Sequence, residues 1–283
     1  MPLRPDLHVH TTASDGEFDE AQIMAMARER NLNLIGITDH DTLEGVLKMQ
    51  AQGMDAGLMV LPGVEISAGG DQEVHLLGYG IHSGMKPLIM LMDDMRRERM
   101  ERTDKMIRRL QAMGLSIDME DIAHVKSHSL GRAHIGRALV KKGVVDSVYE
   151  AFDKYLSPGR PGYEPKEKIQ VTKVISLLRS CGAVPVIAHP GRLKFAPLVF
   201  ETLLNAWKDA GLMGLEVYHP AHVNGSLPYW EALARRHRLL VTGGSDFHGA
   251  DGRHMDLGAM LPYWQSAHED AEALLDALYG SEL

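Results

Sequence analysis

Short apolar runs and longer amphipathic runs alternate along most of the 283-residue chain. The apolar runs predict strands at 6–9, 34–38, 58–66, 74–79, 183–188, 212–218 and 239–242. The amphipathic runs predict helices at 19–30, 43–56, 171–180, 195–210, 224–237 and 269–279. Strands that alternate with helices in this way predict an α/β fold built on a parallel sheet or barrel.

The rhythm changes between 85 and 159, where the pattern predicts no strand. A long helix is expected at 88–113, with charges of both signs that suit a solvated face, and shorter helices at 117–124, 131–142 and 145–156. The turn around Ser157, Pro158 and Gly159 marks the return to the α/β rhythm. We therefore expect a barrel formed by 1–84 and 160–283, with 85–159 as a helical insertion that covers the active-site face.

Histidines and carboxylates follow the predicted strands at or near their carboxyl ends. His8 and His10 lie two residues apart, a spacing that points both side chains to one face of a strand. The candidates are His8, His10, Asp15, His40, Glu65, His75, His189, Asp246 and His248. Each has a plainer explanation by itself: His8 and His10 could be a solvated pair, and His75, inside an apolar strand, could be a core residue.

Strand ends of a parallel barrel open on one face, so these side chains are expected to converge there. Burial of so many titratable groups together requires cations to hold them. A nitrogen and oxygen donor set without thiolate suits Mn²⁺, Zn²⁺ or Fe²⁺, and nine ligands fit two or three ions.

A basic segment precedes one helix of the insertion, from Lys126 through His128 to Arg132 and His134. A helix start with free backbone N–H groups and basic side chains is suited to hold an anion. The alternative is a surface helix with incidental charges. We expect Arg132 and His134 to contact the substrate.

Composition excludes some classes of protein. The formal net charge of −8 argues against a protein that coats long nucleic acid by charge alone. The only cysteine is Cys181, which rules out an intrachain disulfide and fits a reducing compartment. No run approaches the ~20 apolar residues of a membrane span, and we expect a cytoplasmic protein without an obligate protein partner.

Five short motifs together resemble those of the PHP (polymerase and histidinol phosphatase) family of metal-dependent phosphoesterases. They are His8-Val9-His10, Thr38-Asp39-His40, Gly63-Val64-Glu65, Ala188-His189-Pro190 and Ser245-Asp246-Phe247-His248. The resemblance implies a distorted seven-stranded (β/α) barrel with two or three divalent ions, Mn²⁺ first among the candidates.

The resemblance also implies a distribution of the ligands. One ion would be held by His8, His10, Glu65 and Asp246, a second by Asp15, His40 and His248, and a third by His75, His189 and a bridging Glu65. His134 is the next candidate for a ligand position.

Within the family, the insertion with Gly131-Arg132-Ala133-His134 resembles a stand-alone subgroup that acts on small nucleotides and RNA ends. We expect hydrolysis of the 3′-phosphate of a 3′,5′-bisphosphonucleotide by a hydroxide that bridges two ions. Asp246 would be catalytic, and either His134 or His189 would protonate the leaving oxygen. Arg132, Arg192, Arg160 and His134 would hold the anion.

Other functions stay open. Within the family these are 5′-3′ exonuclease action on short RNA and hydrolysis of histidinol phosphate. From other classes come a non-catalytic metal-binding module and an amidohydrolase that cleaves a C–N bond. The remaining histidines, among them His219 and His222, are expected to be mostly structural or solvated; these two are the most open to revision. The others are His82, His124, His128, His237, His254 and His268.

Overall fold

The computed structural model describes residues 1–51, 57–69, 72–82, 84–123, 130–165, 169–249 and 255–280. Seven strands lie side by side in the order of the chain. They are β1 (Pro5–Val9), β2 (Leu34–Ile37), β3 (Met59–Gly69), β4 (Glu73–Tyr79), β5 (Val184–Ile187), β6 (Gly214–Tyr218) and β7 (Leu240–Gly243).

The two outer strands of this order also approach each other. Val9 and Phe247 form a parallel bridge, with His10 N donating to the Phe247 carbonyl at 3.0 Å and Phe247 N donating to the His8 carbonyl at 3.3 Å. The sheet is thereby nearly closed. The predicted distorted seven-stranded barrel is confirmed.

One strand departs from the expected parallel arrangement. β4 runs antiparallel to both of its neighbours, whereas the other strand pairs of the sheet are parallel. Three residues separate Gly69 from Glu73, and a parallel connection needs about a dozen or more. The chain can therefore only turn back here, and β3 and β4 form a long hairpin.

The described helices surround the sheet or form the insertion. They are α1 (Glu20–Glu29), α2 (Glu44–Ala51), α3 (Lys86–Ala112), α4 (Glu120–Ala123), α5 (Arg132–Lys141), α6 (Val148–Ala151), α7 (Val171–Ser180), α8 (Pro197–Asp209), α9 (Leu227–Arg236) and α10 (Ala267–Tyr279). A π-helical turn, Phe152–Leu156, continues α6, and 3₁₀ turns form at Pro190–Arg192 and Pro220–His222.

Local sequence explains where these helices begin and which face they bury. Asp19 caps α1 by accepting from Gln22 N at 3.0 Å, and the Gln22 side chain accepts from Asp19 N, which is a capping box. Ile23 and Ala27, four residues apart, are its buried apolar positions and lie in one hydrophobic cluster with Val9 of β1 and Ile35 of β2.

The insertion has a hydrophobic cluster of its own. Its buried members include Met106, Leu110, Ile135 and Leu139, none of which belongs to the cluster at the barrel. α3 contributes to both, because Leu88, Met92 and Met95 at its start lie in the barrel cluster. No strand occurs among the described residues of 85–159. None of the helices described is long and apolar enough to cross a membrane.

Candidate metal centre

Four donor atoms meet at the carboxyl ends of β1 and β7 and beside Glu65, which lies inside β3 and not at its expected end. His8 Nε2 lies 3.3 Å from Glu65 Oε2, 3.3 Å from Asp246 Oδ1 and 3.1 Å from His10 Nε2. His10 Nε2 lies 3.2 Å from Glu65 Oε2 and 3.4 Å from Asp246 Oδ1. Tetrahedral bonds of 2.0–2.1 Å place ligand atoms about 3.3–3.4 Å apart, so these separations suit one small divalent ion.

Two further groups of potential ligands adjoin the first. His10, Asp15, His40 and His248 form one of them, with His248 Nε2 3.2 Å from Asp15 Oδ1. The other is formed by His40, Glu65 and His75, with His40 Nδ1 3.2 Å from Glu65 Oε2 and His75 Nδ1 2.7 Å from Glu65 Oε1. Glu65 therefore links two of the three groups.

The expected nine ligands are thus brought together, with differences in how they group. The ring of His10 reaches the first group through Nε2 and the second through Nδ1, and His40 belongs to both outer groups. His189 was expected to share the third ion with His75. Its Nε2 lies 3.0 Å from Glu65 Oε1, the same oxygen that His75 approaches, but it stands outside the three described groups.

Unsatisfied polar atoms support cation binding here. Asp15 Oδ1, His40 Nδ1, Glu65 Oε2 and His189 Nδ1 are buried and have no hydrogen-bond partner among the described residues. A buried carboxylate oxygen without a partner costs several kcal/mol. Divalent cations would satisfy these atoms together, so the donor set fits the metals that the sequence predicts.

The electrostatics also call for positive charge. Burial by itself would lower the pKa of His10, but the neighbouring carboxylates of Asp246 and Glu65 raise it to about 10. Burial would also lower the pKa of His75, but the neighbouring Glu65 carboxylate raises it to about 9. At His40 burial prevails and lowers the pKa to about 3. The carboxylates therefore attract either protons or metal cations into the cluster.

The backbone at the site adopts rare conformations. Asp246, His189 and Asp41 have positive φ angles of 53°, 29° and 53°, in the region that side chains seldom occupy. Gly244 brings the loop after β7 against β1, because a Cβ there would lie 2.4 Å from the Cβ of His8. This close approach places Asp246 beside the two β1 histidines.

Register within the β3–β4 hairpin explains how Glu65 and His75 meet. His75 pairs with Ser67, two residues beyond Glu65, so Glu65 and His75 are diagonal neighbours on one face of the hairpin. On the other side of β3, a bridge between His40 and Glu65 extends the β2–β3 pairing beyond the end of β2. Glu65 therefore lies between two histidines that neighbouring strands deliver.

The three groups of candidate ligands face a cavity of about 220 Å³. Arg99, Arg132, Arg137 and Arg192 line it together with the candidate metal ligands. Arg192 contacts Asp246 Oδ2 at 2.9 Å, and Arg137 donates to the Asp15 carbonyl at 2.8 Å. A pocket with divalent-ion ligands on one wall and guanidinium groups around it suits a phosphate ester.

Comparison with known proteins identifies the family. A family model of the PHP domain matches residues 6–158. The 3′,5′-nucleoside bisphosphate phosphatase of Chromobacterium violaceum is 31% identical over 256 residues, which cover 89% of this chain and 90% of that protein. The chain belongs to the PHP domain family.

Two more PHP relatives are similar along most of their length. The 5′-3′ exoribonuclease Rnm of Escherichia coli is 30% identical over 249 residues, or 86% of this chain and 84% of the relative. A solved structure described as a metal-dependent phosphoesterase of Bifidobacterium adolescentis has a TM-score of 0.87 and 31% identity, with 98% of each chain covered. The predicted hydrolase class and metal-dependent phosphoesterase chemistry are confirmed, while substrate and metal stay predictions.

Only some of the residues expected to contact the substrate line the cavity of this PHP domain. Arg132, Arg192 and His134 line the cavity. Arg160 does not, because its guanidinium points outward and pairs with Asp153 at 2.8 Å. Arg160 lies in the turn at 157–162, and this place in the sequence does not bring its side chain to the cavity. Lys126, Ser127, His128 and Ser129, expected to form the basic helix start, lie outside the described residues, as do His124 and His254.

His134 is held as a neutral ring. Its Nδ1 accepts a hydrogen bond from Gly131 N at 3.2 Å, so the proton of the neutral ring is on Nε2. Burial lowers the pKa of His134 to about 4, and Arg137 and Arg99 act in the same direction against Asp15. At neutral pH the ring of the metal-free protein therefore offers a hydrogen bond from Nε2.

Two carboxylates that brace the ligands carry no role in the sequence analysis. Glu216 in β6 is fully buried, accepts from His8 Nδ1 at 2.8 Å and from His189 N at 2.6 Å. Burial would raise the pKa of Glu216, but the charge on His8 lowers it to about 2. Glu73 likewise lies 3.1 Å from His75 Nε2. The sequence could have indicated Glu216, because a carboxylate inside an apolar strand is unusual.

His219 and His222, both expected to be mostly structural, differ in their surroundings. His222 Nε2 accepts from Gly191 N at 2.9 Å and its Nδ1 donates to the Val217 carbonyl at 2.6 Å, so it is a structural ring that holds the turn after His189. His219 Nε2 lies 3.4 Å from Asp246 Oδ2 and therefore borders the metal centre.

Proposed function

We propose that this protein hydrolyses the 3′-phosphate of a nucleoside 3′,5′-bisphosphate and releases the 5′-monophosphate and phosphate. The observation that carries the proposal is the cavity in which three groups of metal ligands face four arginines. The activity of the Chromobacterium violaceum relative, as its name gives it, supports the same substrate class. The predicted partners are accordingly a small phosphorylated nucleotide or a short RNA end.

In this proposal His8, His10, Glu65 and Asp246 would hold one ion, and Asp15, His40 and His248 a second, so that each imidazole serves one ion. His75 and Glu65 would hold a third, with His189 next to Glu65. Mn²⁺ is the first candidate, with Zn²⁺ and Fe²⁺ as alternatives. Bound divalent ions would lower the pKa of water toward ~7 and offset the charge of the phosphoryl oxygens.

The side chains around the metal centre orient the reacting phosphate. Arg192 holds Asp246 by its Oδ2, which leaves Oδ1 directed at His8 and His10. Arg137 and Arg192 present guanidinium groups to the phosphoryl oxygens, and His134 donates its Nε2–H to the substrate. Burial also lowers the pKa of His189 to about 4, so both imidazoles are neutral in the metal-free protein at neutral pH. Which of the two protonates the leaving oxygen stays a prediction.

Phosphate release by the Mn²⁺-loaded protein tests the proposal. A 3′,5′-bisphosphonucleotide, a 5′-monophosphate, a short 5′-phosphorylated RNA and histidinol phosphate are compared, each with a chelator control. Chelator-sensitive preference for the bisphosphate is the expected result. Preference for histidinol phosphate would show that the proposed substrate is wrong. If metal-loaded protein hydrolyses none of the four, the two alternative functions, a C–N hydrolase and a non-catalytic metal-binding module, would have to be considered again.

A second candidate function is 5′-3′ exonuclease action on short RNA, favoured by the likeness to the Escherichia coli exoribonuclease. The same four substrates separate the two when nucleotide products are measured together with phosphate, because an exonuclease releases nucleoside 5′-monophosphates from the RNA one after another. A phosphatase releases inorganic phosphate from the bisphosphate and leaves the RNA intact.

A further inference from the structure

Two buried aspartates beside the metal centre hold loops by the same pattern of hydrogen bonds. Asp6 lies in β1 and accepts from both the backbone N and the hydroxyl of Ser245, at 2.9 and 2.6 Å. Asp39 follows β2 and accepts from both the backbone N and the hydroxyl of Thr11, at 2.7 and 2.8 Å. Each aspartate is 1% exposed. Neither carries a role in the sequence analysis.

Asp6 fixes the loop that carries Asp246. Ser245 directly precedes Asp246, and Asp6 Oδ2 also accepts from Gly258 N at 2.7 Å, so one carboxylate joins two parts of the chain that follow β7. The φ of Asp246 is 53°, a conformation that persists in a non-glycine residue only when its surroundings enforce it. The hydrogen bonds of Asp6 to the preceding residue supply such enforcement.

The same carboxylate acts where the barrel has little backbone pairing. In the part of the chain that the structure describes, a single bridge, Val9 with Phe247, pairs β1 with the segment after β7. Asp6 adds three hydrogen bonds from donors beyond β7. The place of Asp246 relative to the two β1 histidines therefore depends on this side chain as well as on the backbone.

Asp39 fixes the loop after β1 in a similar way. Thr11, which it holds by two hydrogen bonds, directly follows His10. Asp39 Oδ1 also accepts from the hydroxyl of Ser14 at 2.6 Å, and Ser14 directly precedes Asp15. One carboxylate thus holds the chain neighbours of two candidate ligands.

We propose that these two aspartates are positioning residues of the metal centre. Asp6 sets the place of Asp246 in the first ligand group. Asp39 sets the place of Asp15 in the second. Hydrogen bonds occupy the oxygens of both aspartates, so each acts through the neighbour of a ligand and not as a ligand itself. The proposal rests on the metal ligands of the proposed function and assigns the residues that arrange them.

Asparagine distinguishes the two carboxylates. At position 6 its NH₂ would face a backbone N–H in either orientation, that of Ser245 or that of Gly258, and a backbone N–H cannot accept. At position 39 the NH₂ can face the Thr11 hydroxyl, which is able to accept. Asp6→Asn should therefore disturb its loop and Asp39→Asn should not, whereas Asp39→Ala removes all three hydrogen bonds.

Mn²⁺ affinity, measured by competition with a chelator, tests the proposal. Asp6→Asn and Asp39→Ala are each expected to weaken Mn²⁺ binding by about 10–100-fold, the range for groups that orient metal ligands. Asp39→Asn is expected to stay much closer to the parent. An unchanged affinity in Asp6→Asn or in Asp39→Ala would overturn the role of that aspartate.

The matched control is Asp270→Asn. Asp270 in α10 is a buried carboxylate that accepts from Ser266 Oγ at 2.6 Å, Trp264 Nε1 at 2.9 Å and Arg235 at 2.9 Å, and none of these residues adjoins a candidate ligand in the chain. This variant should lower the thermal unfolding midpoint of metal-free protein, as Asp6→Asn does, without changing Mn²⁺ affinity. Equal weakening of Mn²⁺ binding by both variants would show that Asp6 supports only the fold.

Ser245→Ala gives an answer even if Asp6→Asn does not fold. It removes one hydrogen bond and leaves Asp6 bonded to the backbone N–H groups of residues 245 and 258, so a smaller loss of Mn²⁺ affinity is expected. Ser266→Ala removes the equivalent hydroxyl from Asp270 and is its control. Equal affinities in these two serine variants would overturn the role of Asp6.

Metal binding separates this proposal from the proposed function, because it needs no substrate. A parent that binds Mn²⁺ but hydrolyses no phosphate ester would contradict the proposed function, and the affinities of the variants would still decide the roles of Asp6 and Asp39. A parent that binds neither Mn²⁺ nor Zn²⁺ would overturn both.

Discussion

Asp246 completes the group formed with His8, His10 and Glu65, with Oδ1 3.3 Å from His8 Nε2 and 3.4 Å from His10 Nε2. Asp246→Asn removes the charge and keeps the shape, and Asn tolerates the positive φ of this residue better than Ala does. We expect kcat to fall by more than about 100-fold, beyond the effect of changing a group that only supports a metal ligand. Kinetics with metal analysis of the purified variant measures this.

The thermal unfolding midpoint of Asp246→Asn should stay close to that of the metal-free parent, which would show that the fold is retained. Activity within a few-fold of the parent would remove Asp246 from the metal centre.

Glu216 is expected to act on metal binding through His8. By accepting from His8 Nδ1 it fixes the ring so that Nε2 faces the other ligands, and its second oxygen holds the backbone of His189. Glu216→Gln is expected to weaken metal binding by about 10–100-fold, and Glu216→Ala by more, because Gln still accepts one hydrogen bond. Competition with a chromogenic chelator gives the metal affinity.

The matched control is Glu201→Gln, which removes a surface ion pair with Arg236 and should leave metal affinity unchanged. Equal affinities for parent and Glu216→Ala would show that the carboxylate serves only packing.

At the scale of helices and strands, hydrophobic periodicity predicted nearly every element, because each buries one face. α7 is found at Val171–Ser180, the predicted range, and its buried residues Val174, Ile175 and Leu178 are the ones that define the period. The direction of each strand was harder to predict from the sequence. The orientation of β4 follows from the short connection at 70–72, which the alternation of apolar residues does not express.

Charge pattern was a poor guide to the substrate pocket. Arg99 and Arg102 belong to a helix whose alternating charges predict a solvated face, and the sequence does not show which side of that helix meets the barrel. Arg99 reaches Asp41 after β2, and Arg102 reaches the carbonyl of Glu164. Both contacts join residues more than 50 positions apart, so only the fold reveals them.

The separate hydrophobic cluster of the insertion leads to a prediction for its stability. Leu139 in α5 is fully buried among insertion residues, and Leu139→Ala should destabilise that cluster by about 2–5 kcal/mol. Because the cluster is separate, we expect faster amide hydrogen exchange in α5, with β1 and β7 unchanged. Equal loss of protection in insertion and barrel would show instead that 85–159 unfolds together with the barrel.

In the whole molecule, the metal centre draws on almost every strand of the barrel. β1, β3 and β4 supply His8, Glu65 and His75 directly, while the segments after β1, β2, β5 and β7 supply the other candidates. β6 contributes no candidate ligand and instead supplies Glu216, which holds His8 and the backbone of His189. Sequence reasoning could name candidate ligands because strand ends converge, but it could not find such a supporting contact between distant strands.

This convergence implies that metal ions and protons compete for one site. In metal-free protein the carboxylates raise the pKa of His10 to about 10 and of His75 to about 9, so both rings are protonated at pH 8. Their protonation stabilises the metal-free fold fully below the ordinary pKa of 6.5, and that contribution is lost as pH rises through 9 to 10. Metal binding must displace these protons, and metal affinity should therefore increase with pH.

We expect at least one proton to be released for each protein molecule that binds Mn²⁺ at pH 8. Calorimetric titrations in buffers of different ionisation enthalpy measure this number directly, and affinities at pH 7 and 9 give the slope. His75→Gln should release fewer protons than the parent, because one of the two protonated rings is gone. A binding enthalpy that is the same in every buffer would mean that the rings are already neutral, and that burial outweighs the attraction of Glu65 and Asp246.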